Sequence, residues 1–348
     1  MADQLSERER TVLRYVIHDF IETATPVGSR YISRRHEDVL GLSSATIRNI
    51  MSDLEYLGYI NHPHTSAGRV PTDRGYRLYL DSLMHLDALP EKEQKAIEND
   101  LTRAGGHEDL LRESSRVLGR ISRQLCIVTA PYLSSGIFEK LEMVGISTGR
   151  VMVIISVKSG LVRTVMLEVE SEIPREKLDA MSRLLNERLS GLTLQQIGET
   201  FSERMRDVQG ESTGLIRLFI DSVDRLFVPA RSEQIHIAGA DKVIDQPEFV
   251  TAPDFRGVIE LINDQEMIIH VLERNEAPPA EVRVTVGEEH DDDKLKPYSV
   301  ITAGYTAGDT VGTIGVIGPK RMRYERMIPL VDHVARTISR MFSTTMRS

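Results

Sequence analysis

The segment Ser43 to Gly58, SSATIRNIMSDLEYLG, constrains the fold more than any other stretch of the chain. Paired serines offer side-chain oxygens to the free N–H groups of a helix start, and Gly58 stands where helices end in a left-handed residue. Ile47, Ile50 or Met51, Leu54 and Leu57 recur at helical spacing, so one face of this helix must be buried. Two earlier segments supply the partners. Leu5 to Thr23 carries Val12, Leu13, Val16, Ile17 and Phe20 on one stripe. A second, short helix is predicted over Gly28 to Arg35, between the breaks at Pro26 and Gly41-Leu42. Beyond Gly58, Tyr59-Ile60, a polar loop from Asn61 to Arg69, and Val70-Pro71 read as a two-stranded hairpin whose loop stands away from the body. Three helices and a hairpin within residues 1–85 give the outline of a winged helix-turn-helix.

In that outline the third helix enters the DNA major groove, and the side chains outside its apolar stripe are the candidate readers: Ser44, Ala45, Thr46, Arg48, Asn49 and Ser52. Arg can donate two bonds to guanine, Asn can pair with adenine in a bidentate way, and small methyls can touch the thymine methyl. The hairpin loop adds His62, His64, Thr65, Ser66 and Arg69, suited to phosphate or minor-groove contact. The pattern alone leaves a second reading open, because helix-turn-helix outlines also build protein–protein modules and most exposed Arg and Asn residues are simply solvated. Net charge is −9, which argues against a nonspecific coat on nucleic acid. Between Pro26 and Leu80, however, seven arginines face five acids, a local +2 that leaves −11 for the rest. A small positive patch on an acidic molecule suits a sequence reader with low nonspecific affinity.

Leu80 to Arg123 is helical and charged, with a break at Gly105-Gly106. Strand patterns follow at Gly136 to Ile146, Val151 to Val157 and Leu161 to Val169, an antiparallel meander with turns at Thr148-Gly149 and Lys158 to Gly160. Ile173 to Arg206 and Gly214 to Leu226 are helical, and Ile235 to Ile237 is a short strand. Next come a helix over Phe255 to Ile262 and strands at Met267 to Leu272, Val282 to Val286, Val300 to Tyr305 and Thr310 to Ile317. A helix over Tyr324 to Phe342 closes the chain. Two strand-rich blocks separated by a helical one predict an α+β domain interrupted by an insertion. The divisions expected are 1–85, 86–171, 172–250 and 251–348, the third being the insertion.

Several function classes lack support. No apolar run reaches the about 18 to 20 residues of a membrane span, and the start, MADQLSERER, is charged with no signal core behind it, so a cytoplasmic protein is expected. A single cysteine, Cys126, allows neither an internal disulfide nor a cysteine-based zinc site, and it reads as a small buried hydrophobe. Gly304, Gly308, Gly312, Gly315 and Gly318 lack the Gly-Lys-Ser/Thr ending of a phosphate loop and lie between strands. Residues 288–293, Glu-Glu-His-Asp-Asp-Asp, match no calcium-loop spacing, and a zinc pair at His62 and His64 is the weaker reading of the wing. No cofactor, no metal and no catalytic site is expected.

The string from Pro26 to Met84, PVGSRYISRRHEDVLGLSSATIRNIMSDLEYLGYINHPHTSAGRVPTDRGYRLYLDSLM, resembles the signature block of the heat-inducible transcription repressor family, HrcA. Two later segments, VRVTVGEEH and GTIGVIGPKRMRYERMIPLVDHVA, resemble that family's C-terminal block, while residues 172–250 match by position and length only. The resemblance implies a repressor of chaperone genes that binds an inverted-repeat operator as a homodimer, its active form maintained by the GroEL chaperonin. Heat would occupy the chaperonin with other clients and so release repression. The implied fold is a winged helix, a GAF-like α+β domain and an inserted dimerisation domain. The runner-up is a small-molecule-responsive regulator that senses through the GAF-like domain.

Overall fold

Ser6 opens the first helix, α1 (Glu7–Thr23), with a reciprocal cap: its hydroxyl accepts from the Glu9 N–H at 3.4 Å, and the Glu9 carboxylate accepts from the Ser6 N–H at 2.7 Å. In this computed structural model the described residues are 5–63, 68–208, 213–227, 235–243, 246–249, 264–274 and 281–345, with positions 257, 259–260, 262 and 278–279. Helices α2 (Ser29–Arg35) and α3 (Glu37–Leu40) turn the chain toward α4 (Ser44–Tyr56), which Ser43 caps by accepting from the Thr46 N–H at 3.2 Å. Val12, Leu13, Val16 and Ile17 of α1 and Ile47, Met51 and Leu54 of α4 are buried in one core, so Met51 rather than Ile50 takes the inward position. Strands β1 (Ile60–Asn61) and β2 (Val70–Pro71) pair antiparallel. Val27 adds a third rung through mutual 2.8 Å backbone bonds with Arg69. The expected hairpin and all three expected helices are present. Its loop positions His64, Thr65 and Ser66 lie outside the described residues.

The body is a five-stranded antiparallel sheet in the order β7–β3–β10–β9–β8. Its strands are β3 (Leu125–Thr129), β7 (Ile235–Ala238), β8 (Val282–Val286), β9 (Tyr298–Ala307) and β10 (Thr310–Pro319). One face carries Cys126, Val128, Ile301, Tyr305, Ile314 and Val316 into a core shared with α7 (His107–Ser122) and the closing helix, here α14 (Tyr324–Thr345). The other carries Leu125, Ile127, Val300 and Ile317 onto α13 (Gln265–Arg274). A sheet covered on both faces needs strands that are apolar throughout rather than alternating. β9 and β10 are accordingly buried almost end to end. Tyr305 leaves no room for a Cβ at Gly312, nor does Leu272 at Gly315, so the glycine run serves close packing.

Two short apolar runs fold differently from their sequence pattern. Leu125–Thr129, for which no strand was expected, is a fully buried strand inside the sheet, entered after Arg123 stops α7 in a left-handed conformation. Met267 to Leu272, expected as a strand, lies in α13. Asp264 accepts from the Met267 N–H at 3.0 Å, and Met267, Ile268, Val271 and Leu272 are buried at helical spacing.

Between β3 and β7, which are neighbours with Thr129 opposite Ile235, the chain makes a unit with its own core running from Leu133 to Phe227. The meander β4 (Phe138–Ser147), β5 (Arg150–Val157) and β6 (Val162–Glu168) packs Leu141, Val153 and Leu167 against Leu178, Met181 and Leu185 of α8 (Arg175–Leu189). Asn186 bonds both the N–H and the carbonyl of Leu141, at 2.6 and 2.9 Å. The division expected at 171/172 falls inside this core. The whole is α+β: a winged helix, a GAF-like body and an inserted unit.

Candidate nucleic-acid interface

With Ile47, Met51 and Leu54 buried, α4 turns Ala45, Thr46, Arg48, Asn49 and Ser52 outward, while Ser44 is half-buried. The Thr46 hydroxyl shares a 3.0 Å hydrogen bond with Ser43, and the Ser52 hydroxyl donates to the Arg48 carbonyl at 3.0 Å. These two positions therefore spend part of their bonding capacity within the helix. The side chains of Arg48 and Asn49 have no hydrogen-bond or ion-pair partner among the described residues. Among the six candidates on this helix they are the two that are exposed with donor capacity not spent within the helix.

The wing root is tied to the same helix. Glu55 takes the His62 imidazole on one oxygen and Arg69 Nη2 at 2.7 Å on the other. His62 and Arg69 thus brace the loop against α4. The seven-arginine patch resolves in the same way. Arg35 pairs with Glu22 and Asp19, Arg74 donates to the Leu57 carbonyl at 2.7 Å and lies over the Tyr59 ring, and Arg77 is bound to Glu289. Arg30, Arg34 and Arg48 form no ion pair among the described residues, and all three are exposed.

Two further residues belong to this region and were not among the candidates. Tyr56, 91% exposed, lies on the Asn49–Ser52 face of α4, four residues past Ser52. Its distance from the apolar stripe is the signal that would have found it. Asp19, fully buried on α1, accepts from His36 Nε2 at 2.9 Å, and His36 stacks on Tyr15 with centroids 3.8 Å apart. This pair fixes the corner between α2 and α3 that delivers the chain to the cap of α4. A carboxylate beside an apolar stripe looks solvated in sequence, so no pattern pointed to it.

In the acidic run the carboxylates meet basic side chains at the surface. Glu288 and Asp293 pair with Lys296, Asp291 with Arg274, and Glu289 with Arg77. Burial pushes the Cys126 thiol up to about 12, which makes it a poor nucleophile. No described helix is long and apolar enough to cross a membrane.

A capped helix with a free outward face, braced by a wing and carried on a separate α+β body, is the build of a winged-helix transcription regulator. Residues 108–328 match the family described as HrcA protein C terminal domain. The chain is 41% identical over 341 residues to the heat-inducible transcription repressor HrcA of Chlorobium chlorochromatii (strain CaD3), covering 97% of each protein. It is 40% identical over 355 residues to that of Chlorobium phaeobacteroides (strain BS1), covering 99% of this chain and all of the relative. A crystal structure described only as that of a hypothetical protein shares the fold, with a TM-score of 0.58 at 24% identity over 98% of this chain and 100% of the other. The chain belongs to the HrcA family of heat-inducible transcription repressors.

Proposed function

We propose that this repressor binds an inverted-repeat DNA operator of chaperone genes as a homodimer, with α4 in the major groove and the wing on the flanking backbone. The observation that carries this reading is the free, exposed Arg48–Asn49 pair set opposite the buried stripe of α4. Arg30 and Arg34 on α2 supply positive charge beside it for phosphates. Residues 1–85 form the DNA-binding part, and the dimer forms through the unit inserted between β3 and β7. An inverted repeat calls for a two-fold protein. The outward face of the meander offers a surface: Val144, Met152 and Met166 stand in one row across its three strands, with Ile146 and Val162 also exposed. The protein works in the cytoplasm, where the operator is. The GroEL chaperonin as keeper of the active form rests on the family resemblance.

The rival reading, a small-molecule regulator, needs a cavity against the GAF-like sheet. Among the described residues both faces of β9 and β10 are filled by side chains, which leaves for such a ligand the cavity at the sheet edge lined by His270 and Arg274 of α13 and Arg283 and Thr285 of β8. Fluorescence anisotropy of the purified chain with a labelled inverted-repeat duplex from its own chaperonin promoter tests the DNA reading, with and without chaperonin and ATP. A dissociation constant of about 10⁻⁸ to 10⁻¹¹ M that weakens steeply with salt is expected. Equal affinity for a scrambled duplex would sink it.

A further inference from the structure

The winged helix does not hang from a free linker. Its last helix, α5 (Asp73–Leu78), is seated on the body. Arg77 Nε donates to Glu289 Oε1 at 2.5 Å, and its Nη2 donates to the Val284 carbonyl of β8 at 2.8 Å and to the second Glu289 oxygen. Glu289 is held in turn by the Val286 N–H at 2.8 Å. Asp73 accepts from the Glu288 N–H at 2.9 Å and from the Lys320 ammonium at 2.6 Å. Gly287, at φ +58°, makes the turn that receives Asp73, and a Cβ there would overlap the carboxylate. From the far side Arg321 donates to the Ile21 carbonyl near the end of α1 at 2.7 Å. Beneath the polar ring the buried Tyr76 meets Tyr324 edge-on.

Each polar arm on the winged helix thus finds a backbone group as well as an opposite charge on the body. That is more directional than paired surface charges, whose geometry is loose. In a two-fold dimer the direction of each reading head decides which operator fits. Every base pair added between half-sites rotates one of them by about a tenth of a turn. A head on a flexible tether tolerates that change, and a head fixed to its body does not.

We propose that the Asp73–Arg77 seat sets the separation and rotation of the two reading heads, which makes Asp73 and Arg77 positioning residues for half-site spacing. This rests on the DNA reading above. Arg77 is committed to Glu289 and β8, so its role is exerted through the placement of α4.

The test uses the full chain, wild type and Arg77→Ala, with Lys320→Gln as a second variant that loosens the same seat from the exposed side. Binding is measured to a single half-site, to the native inverted repeat, and to repeats with two base pairs inserted or removed between half-sites. Circular dichroism and sedimentation confirm fold and dimer. Wild type should lose about tenfold or more on the altered spacings. The seat variants should keep half-site affinity, bind the native repeat several-fold more weakly, and discriminate spacings by less than about threefold. Folded, dimeric variants that retain wild-type spacing preference overturn the seat's role and leave the DNA reading intact. A wild-type chain that binds neither duplex overturns the DNA reading and this one with it.

Discussion

Arg48 and Asn49 are the residues at which the proposed DNA reading is tested most directly. Each leaves α4 on the side opposite its core, so Arg48→Ala and Asn49→Ala should leave the unfolding midpoint unchanged. Operator binding should weaken by about 1 to 3 kcal/mol per half-site, with relaxed base preference in a panel of point-substituted duplexes. Unchanged affinity in both would remove α4 as the reader. These positions were legible because helical periodicity fixes which side chains point outward. The bracing of His62 and Arg69 by Glu55 was not, because it depends on where the loop returns in space. His18 gives a pH signature at the same scale. The Glu325 carboxylate, 3.7 Å from its Nδ1, raises the imidazole from its ordinary value against opposing burial, with Glu22 and Asp19 adding to the rise. A raised folded pKa means that the contact is fully present below the ordinary histidine value and fades as pH climbs through the raised one. The thermal midpoint of wild type should therefore exceed that of His18→Gln more at pH 6 than at pH 9. A difference independent of pH would show that His18 only fills space.

At the scale of elements, the instructive pair is the two short apolar runs of the body. LCIVT and MIIHVL are similar in composition and length, and neither shows a decisive period, yet one became a buried strand and the other part of a helix. Local boundaries decide. Arg123 closes α7 just upstream of the first run, leaving its residues between two sheet partners, whereas Asp264 caps the second within a ten-residue segment that ends at Arg274. Long elements with one clear stripe, such as α1, α4 and α14, were legible with ends two or three residues off at most. Among elements, the α2–α3 corner depends most on one buried charge. Asp19→Ala removes the acceptor of His36 and one of the two ion partners of Arg35, which keeps Glu22, and leaves the His36 imidazole beside a cavity in the core. It should cost about 1 to 3 kcal/mol in denaturant unfolding and lower operator affinity without touching a contact residue. A variant as stable as wild type would mean that the Tyr15–His36 stack alone holds the corner.

For the whole molecule the question is what in this chain would call for the chaperonin assistance proposed above. Its apolar groups are divided among three cores, one joining the winged helix to the body, one behind the sheet and one in the inserted unit. There is no tryptophan, and aromatic residues make up only 5% of the chain. The stability of each part is then a small difference between large terms, and the parts are coupled through directional contacts such as the α5 seat. The sheet adds a kinetic difficulty. β3 must pair with β7 and β10 across more than a hundred and about two hundred residues of chain, respectively, with the inserted unit lying between β3 and β7. Such non-local pairing is slow and exposes apolar strands while it waits. A chain of this kind can lose its active form without any dedicated thermometer residue. Purified repressor held a few degrees above its growth temperature should lose operator binding over time, and GroEL with ATP should restore it with no other ligand. The measurement is operator affinity before heating, after heating and after chaperonin addition, followed in parallel by sedimentation. Recovery by a small molecule in place of the chaperonin would transfer sensing to the GAF-like body. Binding that survives heating unaided would show that heat acts on some other component.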